Sequence, residues 1–390
     1  MPRKNHHNHA PRVFLGLSGG VDSAVSAYLL KEQGYQVTCV YMKNWSRDLP
    51  GMHCPWAEDL ADAKRVAVKL GLDFQVFDFE EAYKKQVVDY MIDAYRRGFT
   101  PNPDVMCNAK IKFKLFYDTA RAKGADFIAT GHYARTDGKH LLLARDANKD
   151  QTYFLYRIKR EILPQVIFPV GDLTKPAVKA LASRLGLSVA KKPESMGVCF
   201  VGEANMRDFL SEFIATSPGE IVDFDSKKTL GYHAGALFYT LGQRHGLNLT
   251  TGLPYYVVQK DMAKNIVYVS RNLANKKLWS KSVRLEKIML DHTQGLAGQT
   301  SAQSPEQSSA QSSTKASAQS PAQNNPKQST SPSFPLLARV RHRAPLVPAR
   351  LEQEQVIFTS PERSLAPGQS IVLYQAGVCL GGGIIAASNF

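Results

Sequence analysis

Cysteine is scarce in this chain of 390 residues: there are five, at positions 39, 54, 107, 199 and 379, and no two form a CxxC pair. An odd, irregularly spaced set is no disulfide framework and points to a reducing compartment. Long apolar runs are missing as well, and no stretch approaches the length a transmembrane helix needs. The first residues, MPRKNHHNHAPR, are basic and His-rich without an apolar centre, so they read as a disordered tail over 1–11 and not as a secretory signal. A cytoplasmic protein without a membrane association is expected. Acidic residues are the third shortage, with 34 Asp+Glu against 49 Lys+Arg and a formal charge of +15. The imbalance is uneven: Lys227 to His292 holds eleven Lys/Arg and three acids. Such a surplus favours a polyanionic partner, nucleic acid being the first candidate, with a merely solvated basic face as the alternative.

What is present is ordinary for a globular protein, 44% hydrophobic and 21% charged, and the length implies two or three domains. RVFLGL (12–17) reads as a buried strand followed by turn chemistry. Ala24 to Gln33 has helical spacing and is closed by Gly34, and QVTCVYM (36–42) is a second strand. Trp56 to Leu70 is a helix ended by Gly71, DFQVFDF (73–79) a third strand, Glu80 to about Arg97 a long helix, and FIAT (127–130) another strand. This alternation predicts an α/β domain over 12–165, built on a parallel sheet with helices on both faces. Helices near Lys175–Leu185 and Ala204–Ile214 suggest a small central domain over 166–217. From Pro218 onward, short strands with polar turns predict a C-terminal β-barrel or sandwich over 218–390. Residues 293–333 interrupt it with eleven Ser, eight Gln and four Pro, and Leu296 is their only large apolar residue. That composition cannot bury enough surface to offset its ordering entropy, so a disordered insertion is expected there.

The most informative stretch is Gly16-Leu17-Ser18-Gly19-Gly20-Val21-Asp22-Ser23, between the first strand and the first helix. Adjacent glycines let successive N–H groups curl toward a phosphate, and the helix N-terminus adds its positive dipole end. Ser18 and Ser23 can donate to phosphate oxygens, and Asp22 can hold a Mg²⁺ bound to pyrophosphate. No Lys-Ser/Thr pair follows the glycines, so this is not a Walker loop, and it is not GxGxxG. In this setting the loop resembles the PP-loop of ATP pyrophosphatases, which cleave ATP between the α and β phosphates and adenylate a substrate.

Two cysteines lie in expected loops: Cys107 in Thr100-Pro101-Asn102-Pro103-Asp104-Val105-Met106-Cys107-Asn108, and Cys199 in the Gly-flanked Gly197-Val198-Cys199-Phe200-Val201-Gly202. A free thiol is more often a small buried hydrophobe, which is the default for Cys39 and Cys379, but loops are where reactive groups are displayed. Cys54 beside His53 offers two metal ligands without partners, too few for a site.

Taken with these, the blocks SGGVDS (18–23), YMKNW (41–45), TPNPDVMCN (100–108), GADFIATGHYAR (124–135), KDQTYFL (149–155), GVCFVGE (197–203) and YTLGQRHGL (239–247) make the chain similar to the tRNA-specific 2-thiouridylases. The resemblance implies a PP-loop domain, a small central domain and a C-terminal barrel that contacts tRNA. It implies an ATP-dependent, Mg²⁺-assisted sulfurtransferase that adenylates the C2 oxygen of the wobble uridine (position 34) in tRNAs for Lys, Glu and Gln, releasing AMP and pyrophosphate. The C2 oxygen is amide-like and leaves poorly; as an adenylate it can depart with AMP. Cys199 would carry a persulfide supplied by a cysteine desulfurase or a sulfur-relay protein, with Cys107 as its nucleophilic partner and Asp104 as acid/base. Either the terminal sulfur of Cys199 attacks C2 directly, or Cys107 first releases hydrosulfide by forming a Cys107–Cys199 disulfide. Reactive thiols need a nearby cation or helix end to lower their pKa.

The resemblance further places ATP on Gly16, Leu17, Ser18, Gly19, Gly20, Val21, Asp22 and Ser23 with Met42 and Gly131. Asn102, Pro103 and Asp104 would face the target base. His132, Lys149, Asp150, Gln151, Arg341, His342 and Gln369 would contact tRNA. The chain departs from the family pattern before Cys199, with Glu194 and Met196, and in its insertion at 293–333. A monomer is expected, because tRNA must reach several domains. Competing readings are a PP-loop ligase acting on a small molecule, an iron–sulfur thiolase, and an RNA-binding protein that has lost its chemistry. The basic C-terminal half and cysteine pair oppose the first, the sparse cysteines the second, and the intact loop with Asp104, Cys107 and Cys199 the third.

Overall fold

The computed structural model describes residues 10–50, 53–193, 206–249, 252–290 and 335–387. Residues 1–9 of the tail expected over 1–11, Cys199 and the insertion expected at 293–333 lie outside them.

Strand β1 (Arg12–Gly16) leads through the glycine loop into helix α1 (Val21–Glu32), followed by β2 (Gln36–Lys43), α2 (Trp56–Leu70) and β3 (Asp73–Asp78). A continuous helical stretch follows: α3 (Glu80–Tyr83), a π turn over Lys84–Val88, and α4 (Asp89–Arg96). A second helical stretch, α5 (Pro103–Cys107), a π segment over Asn108–Leu115 and α6 (Phe116–Ala122), precedes β4 (Phe127–Thr130). The chain continues through the hairpin β5 (Arg135–Thr136) and β6 (Leu141–Leu142), α7 (Thr152–Leu155), β7 (Val166–Ile167) and α8 (Lys175–Arg184).

The first sheet is parallel throughout, in the order β3-β2-β1-β4-β7. Side chains alternate across β1: Phe14 packs with Phe77 and Phe116 on one face, while Val13 and Leu15 pack with Val25, Leu30 and Val66 on the other. Both faces are therefore covered, which is why β1 and β2 are apolar almost without interruption. The strand order reverses between β1 and β4, the point at which open α/β sheets bind ligands beyond the carboxyl ends of their strands.

After α9 (Met206–Ser211), the strands expected to form one barrel divide into two sheets. The first, β8 (Gly219–Asp223), β9 (Thr229–His233), β10 (Tyr256–Asp261) and β11 (Ile266–Ser270), runs β10-β11-β8-β9 around a core of Ile221, Tyr239, Val257 and Val267. The second comprises β12 (Trp279–Leu290), β13 (Leu337–Arg339), β14 (Val347–Glu352), β15 (Gln355–Arg363), β16 (Ser370–Gln375) and β17 (Val378–Ile385). Its order is β12-β15-β14-β13-β16-β17, and β17 pairs back onto β12, so the six strands close into a barrel without free edges. Tertiary pairing made this division, because β8–β11 bury their apolar face in a core of their own.

The barrel is joined to the first domain by main chain and by charge. Strand β6 pairs with Val378–Cys379 of β17, which extends the barrel sheet with a hairpin from the first domain. Beneath it, the buried Asp150 carboxylate accepts from Arg339 at 2.7 Å, from the Thr152 hydroxyl at 2.6 Å and from the Ala144 N–H at 2.8 Å. Asp150 is 2% exposed and Arg339 7%. A second junction lies at Thr100. Its N–H donates to the Pro367 carbonyl, its carbonyl accepts from Gln369 Nε2 at 2.8 Å, and its hydroxyl lies 3.1 Å from that of Thr240 in the four-stranded domain. Cys39 and Cys379 are buried as expected, with burial the main cause pushing each thiol up to about 12. No helix among the described residues is long and apolar enough to cross a membrane.

Removing one member of a buried ion pair leaves an uncompensated charge, at a cost of ~3–5 kcal/mol. Arg339→Met is expected to lower the urea midpoint by a corresponding amount, and adding Asp150→Asn should recover part of the loss. An unchanged midpoint in the single variant would show that the pair does not hold the barrel in place.

Candidate active site

The glycine loop sits at the reversal point of the parallel sheet. Gly16 ends β1, residues 17–20 form the turn, and Val21 begins α1, so Asp22 and Ser23 belong to the first helical turn. Gly19 has φ +76°, and a Cβ there would lie 2.4 Å from the Asp59 carbonyl oxygen of α2. Both the turn and its close packing thus require glycine. Gly20 is the N-cap and brings no side chain to the first-turn N–H groups, which suits an anion. Ser23 is 4% exposed; its hydroxyl donates to the Gly20 carbonyl and accepts from Ser18 N–H, clipping the loop in shape. Ser18 is exposed at the turn and is the better placed of the two expected phosphate donors.

The other expected nucleotide residues gather around this loop. A Cβ on Gly16 would fall 2.8 Å from Met42 Cε, so Met42, near the end of β2, leans directly over the loop's first residue. A Cβ on Gly131, just after β4, would fall 2.7 Å from the Ser23 nitrogen. The two sides of the reversal point therefore approach within backbone contact at α1. The uncapped N–H groups of the first turn and the exposed Ser18 hydroxyl are groups whose chemistry suits phosphate oxygens.

Asp22 is the electrostatic centre of the site. Its Oδ1 accepts from the Tyr133 hydroxyl at 2.9 Å, and its two oxygens accept from Lys175 Nζ at 2.7 and 2.8 Å. The loop's charge is thus balanced by a lysine from α8. Neither Lys175 nor Tyr133 stood out in the sequence: Lys175 reads there as the start of a helix, and Tyr133 as one residue of GHYAR. Tyr133 in turn exchanges bonds with Gln151, its N–H donating to Gln151 Oε1 and its carbonyl accepting from Gln151 N–H, both at 2.9 Å.

The element that was expected to face the target base begins a helix. Asn102 caps α5, its Oδ1 accepting from Val105 N–H, and Pro103 occupies the first turn. Cys107 is therefore helical and only 1% exposed, contrary to the loop expected for it. The capped Asn-Pro start is a helix signal that the Pro-rich reading missed. Asp104 is half-buried one turn before Cys107. The same helical stretch reaches the nucleotide loop, since Phe116 Cε1 would lie 3.9 Å from a Cβ on Gly16 and Phe113 stacks 5.8 Å from the His132 ring. Cys199 lies outside the described residues, so its distance from Cys107 does not enter the site geometry.

The residues expected to touch tRNA divide in two. Arg341 is exposed and Lys149 half-buried. The other side chains turn inward. Asp150 is committed to Arg339 and Thr152, Gln151 Oε1 to Tyr133, and Gln369 Nε2 to Thr100. Asp150 is thus corrected from a surface contact to an interface anchor, because its carboxylate is enclosed between domains. His132 is buried with Nδ1 2.8 Å from Thr130 Oγ1, and burial holds it well below the ordinary histidine value, so it is neutral. His342 stacks on Phe154 at 4.5 Å; burial, with Arg343 and Arg339 nearby, lowers it to about 4. No cluster of three or more metal-binding side chains occurs among the described residues.

Because both histidines are neutral when folded and have ordinary values near 6.5 otherwise, the unfolded chain binds more protons at mildly acidic pH. Their contribution to stability is complete above about 6.5 and is lost as the pH falls toward the folded values. Between pH 7 and 5 the urea midpoint should fall, and His342→Gln should flatten that dependence. An identical slope in the variant would exclude His342 as a source.

Known proteins match along nearly the whole chain. The family described as tRNA methyl transferase HUP domain matches residues 11–203, the tRNA methyl transferase PRC-barrel domain residues 207–271, and the aminomethyltransferase β-barrel domain residues 313–385. The tRNA-specific 2-thiouridylase MnmA of Pediococcus pentosaceus is 39% identical, over 98% of this chain and 96% of its own. The protein of the same name from Legionella pneumophila is 41% identical over 96% of this chain and 98% of its own. That from Lysinibacillus sphaericus is 38% identical over 96% and 94%.

Proposed function

The chain belongs to the tRNA-specific 2-thiouridylase family, and from that membership we propose that it replaces the C2 oxygen of the wobble uridine in tRNA with sulfur, at the expense of ATP. The observation that carries this reading is a glycine loop at the sheet's reversal point, reached by Phe116 of the helical stretch that Asn102 caps, in a chain whose relatives match nearly its whole length. A small-molecule ligase needs neither that helix nor the basic region between Lys227 and His292.

In this reading the amides at Gly19, Gly20 and the start of α1 receive the phosphates of ATP, while Met42 and Gly131 enclose the nucleoside. Mg²⁺ fits as a companion of the phosphates, because Mg²⁺ is usually held by one or two carboxylates and phosphate oxygens, and Asp22 supplies a carboxylate at the loop. When bound it would neutralise charge on the departing pyrophosphate. Asn102, Pro103 and Asp104 face the uracil, and Asp104 takes the N3 proton as O2 bonds to the α phosphorus. Cys199 brings the terminal sulfur of a persulfide: either that sulfur attacks C2 directly and the Cys107 thiolate afterwards displaces it from the Cys199 sulfur, or Cys107 displaces it first and the released hydrosulfide attacks C2; both routes leave a Cys107–Cys199 disulfide. AMP then leaves with the former O2. The persulfide comes from a separate donor, a desulfurase or a relay protein, and the substrates are tRNAs for Lys, Glu and Gln. Arg341 and Lys149 contribute phosphate contacts, which fix the RNA's position without reading its sequence.

Mass spectrometry of nucleosides from tRNA incubated with the protein, ATP, Mg²⁺ and a sulfide or persulfide source tests this directly. The expected product is 2-thiouridine, absent without ATP. With a persulfide donor, Cys199→Ser should reduce it to background while AMP still forms. Absence of any sulfur gain in the wild-type protein would overturn the reading, and thiolation retained in Cys199→Ser would overturn the carrier role.

A further inference from the structure

The glycine loop carries no lysine of its own, whereas a Walker loop places one on the β and γ phosphates. The fold brings one from 153 residues away in sequence: Lys175 Nζ lies 2.7 and 2.8 Å from the two oxygens of Asp22. The root of this side chain is fixed, since Lys175 begins α8, its N–H donates to Asp146 Oδ2 at 2.9 Å, and Val178 N–H donates to the Thr174 carbonyl. The stem runs inward, leaving the residue 6% exposed, with the ammonium 5.8 Å above the Tyr133 ring. A nearly buried ion pair gains little stability over apolar packing, because both charges lose water. At this position it gives the loop something else, a positive charge already beside the uncapped N-terminus of α1.

We infer that Lys175 is a catalytic residue of the adenylation step: its ammonium passes from Asp22 to the β and γ phosphates of ATP and stabilises the departing pyrophosphate. This rests on the adenylation reading given above. The uracil O2 forms the bond to the α phosphorus as its N3 proton passes to a base. The bond from the α phosphorus to the bridging oxygen breaks, and its electron pair leaves on pyrophosphate. Nothing is oxidised or reduced. Charge thus grows on the bridging oxygen, where a preplaced cation lowers the barrier most. A lysine suits this task because its charge is compact and its four-carbon stem lets the head move while the backbone stays fixed.

The test uses the full chain and two independent readouts. In single-turnover mixtures with tRNA, ATP and Mg²⁺, Lys175→Met should form AMP ~10²–10³-fold more slowly than wild type, the loss typical of removing one preorganised transition-state contact. In calorimetry with inorganic pyrophosphate and Mg²⁺, and separately with AMP, the variant should bind pyrophosphate about tenfold more weakly, as for the loss of ~1.4 kcal/mol, and bind AMP as wild type does. Lys175→Arg should regain part of the rate. A wild-type rate or unchanged pyrophosphate affinity in Lys175→Met overturns the inference. Equal losses for pyrophosphate and AMP would assign Lys175 to holding the fold and overturn it too. If the wild-type chain makes no 2-thiouridine, the proposed function fails, while the pyrophosphate titration still reports on Lys175.

Discussion

Asp22 holds together the parts of the nucleotide site that the chain delivers separately. Its carboxylate sits in the first turn of α1 and accepts from Tyr133, beyond β4, and from Lys175 at the start of α8. Three segments on both sides of the sheet's reversal point are thereby fixed to one group. An aspartate near a helix N-terminus is favourable in its own right. Here it also gives the loop a balanced charge before any phosphate arrives, so the pocket can be polar and partly buried without an uncompensated ion.

The same logic of local anchoring by distant partners connects the domains. Asp150 and Arg339 form a buried pair between the first domain and the barrel, and the carboxylate also accepts from the Thr152 hydroxyl and the Ala144 N–H. Thr100 is bonded by the barrel through Pro367 and Gln369 and meets the four-stranded domain through Thr240. It stands two residues before Asn102, the cap of the helix that carries Asp104 and Cys107. The position of that helix is therefore set jointly by all three domains.

Much of the architecture was legible because its causes are local. Apolar runs marked β1, β2, β3 and β4, and glycine closed α1 and α2, since φ and ψ preferences and side-chain periodicity act over a few residues. Other elements have weak local signals. Strands β9 and β14 alternate without strong β formers throughout, β17 contains three consecutive glycines, and β5 and β6 are two residues each. Cys107 was assigned to a loop because prolines at 101 and 103 suggested a turn, although Asn102 before Pro103 is also a helix start.

By itself the sequence determined the nucleotide loop, the pair of chemically suggestive cysteines and the alternation that makes a parallel sheet. Each follows from residue type and short-range spacing. Only the tertiary structure decided which charges meet. The partners of Asp22 and Asp150 lie 153 and 189 residues away, and no local preference records such a pairing. It also decided that Asp150 and Gln369 turn inward while Arg341 remains exposed, because the direction of a polar side chain depends on what the fold packs against it. Burial and hydrogen bonding are properties of the assembled chain, and they separate the polar residues that hold the fold together from those left exposed at its surface.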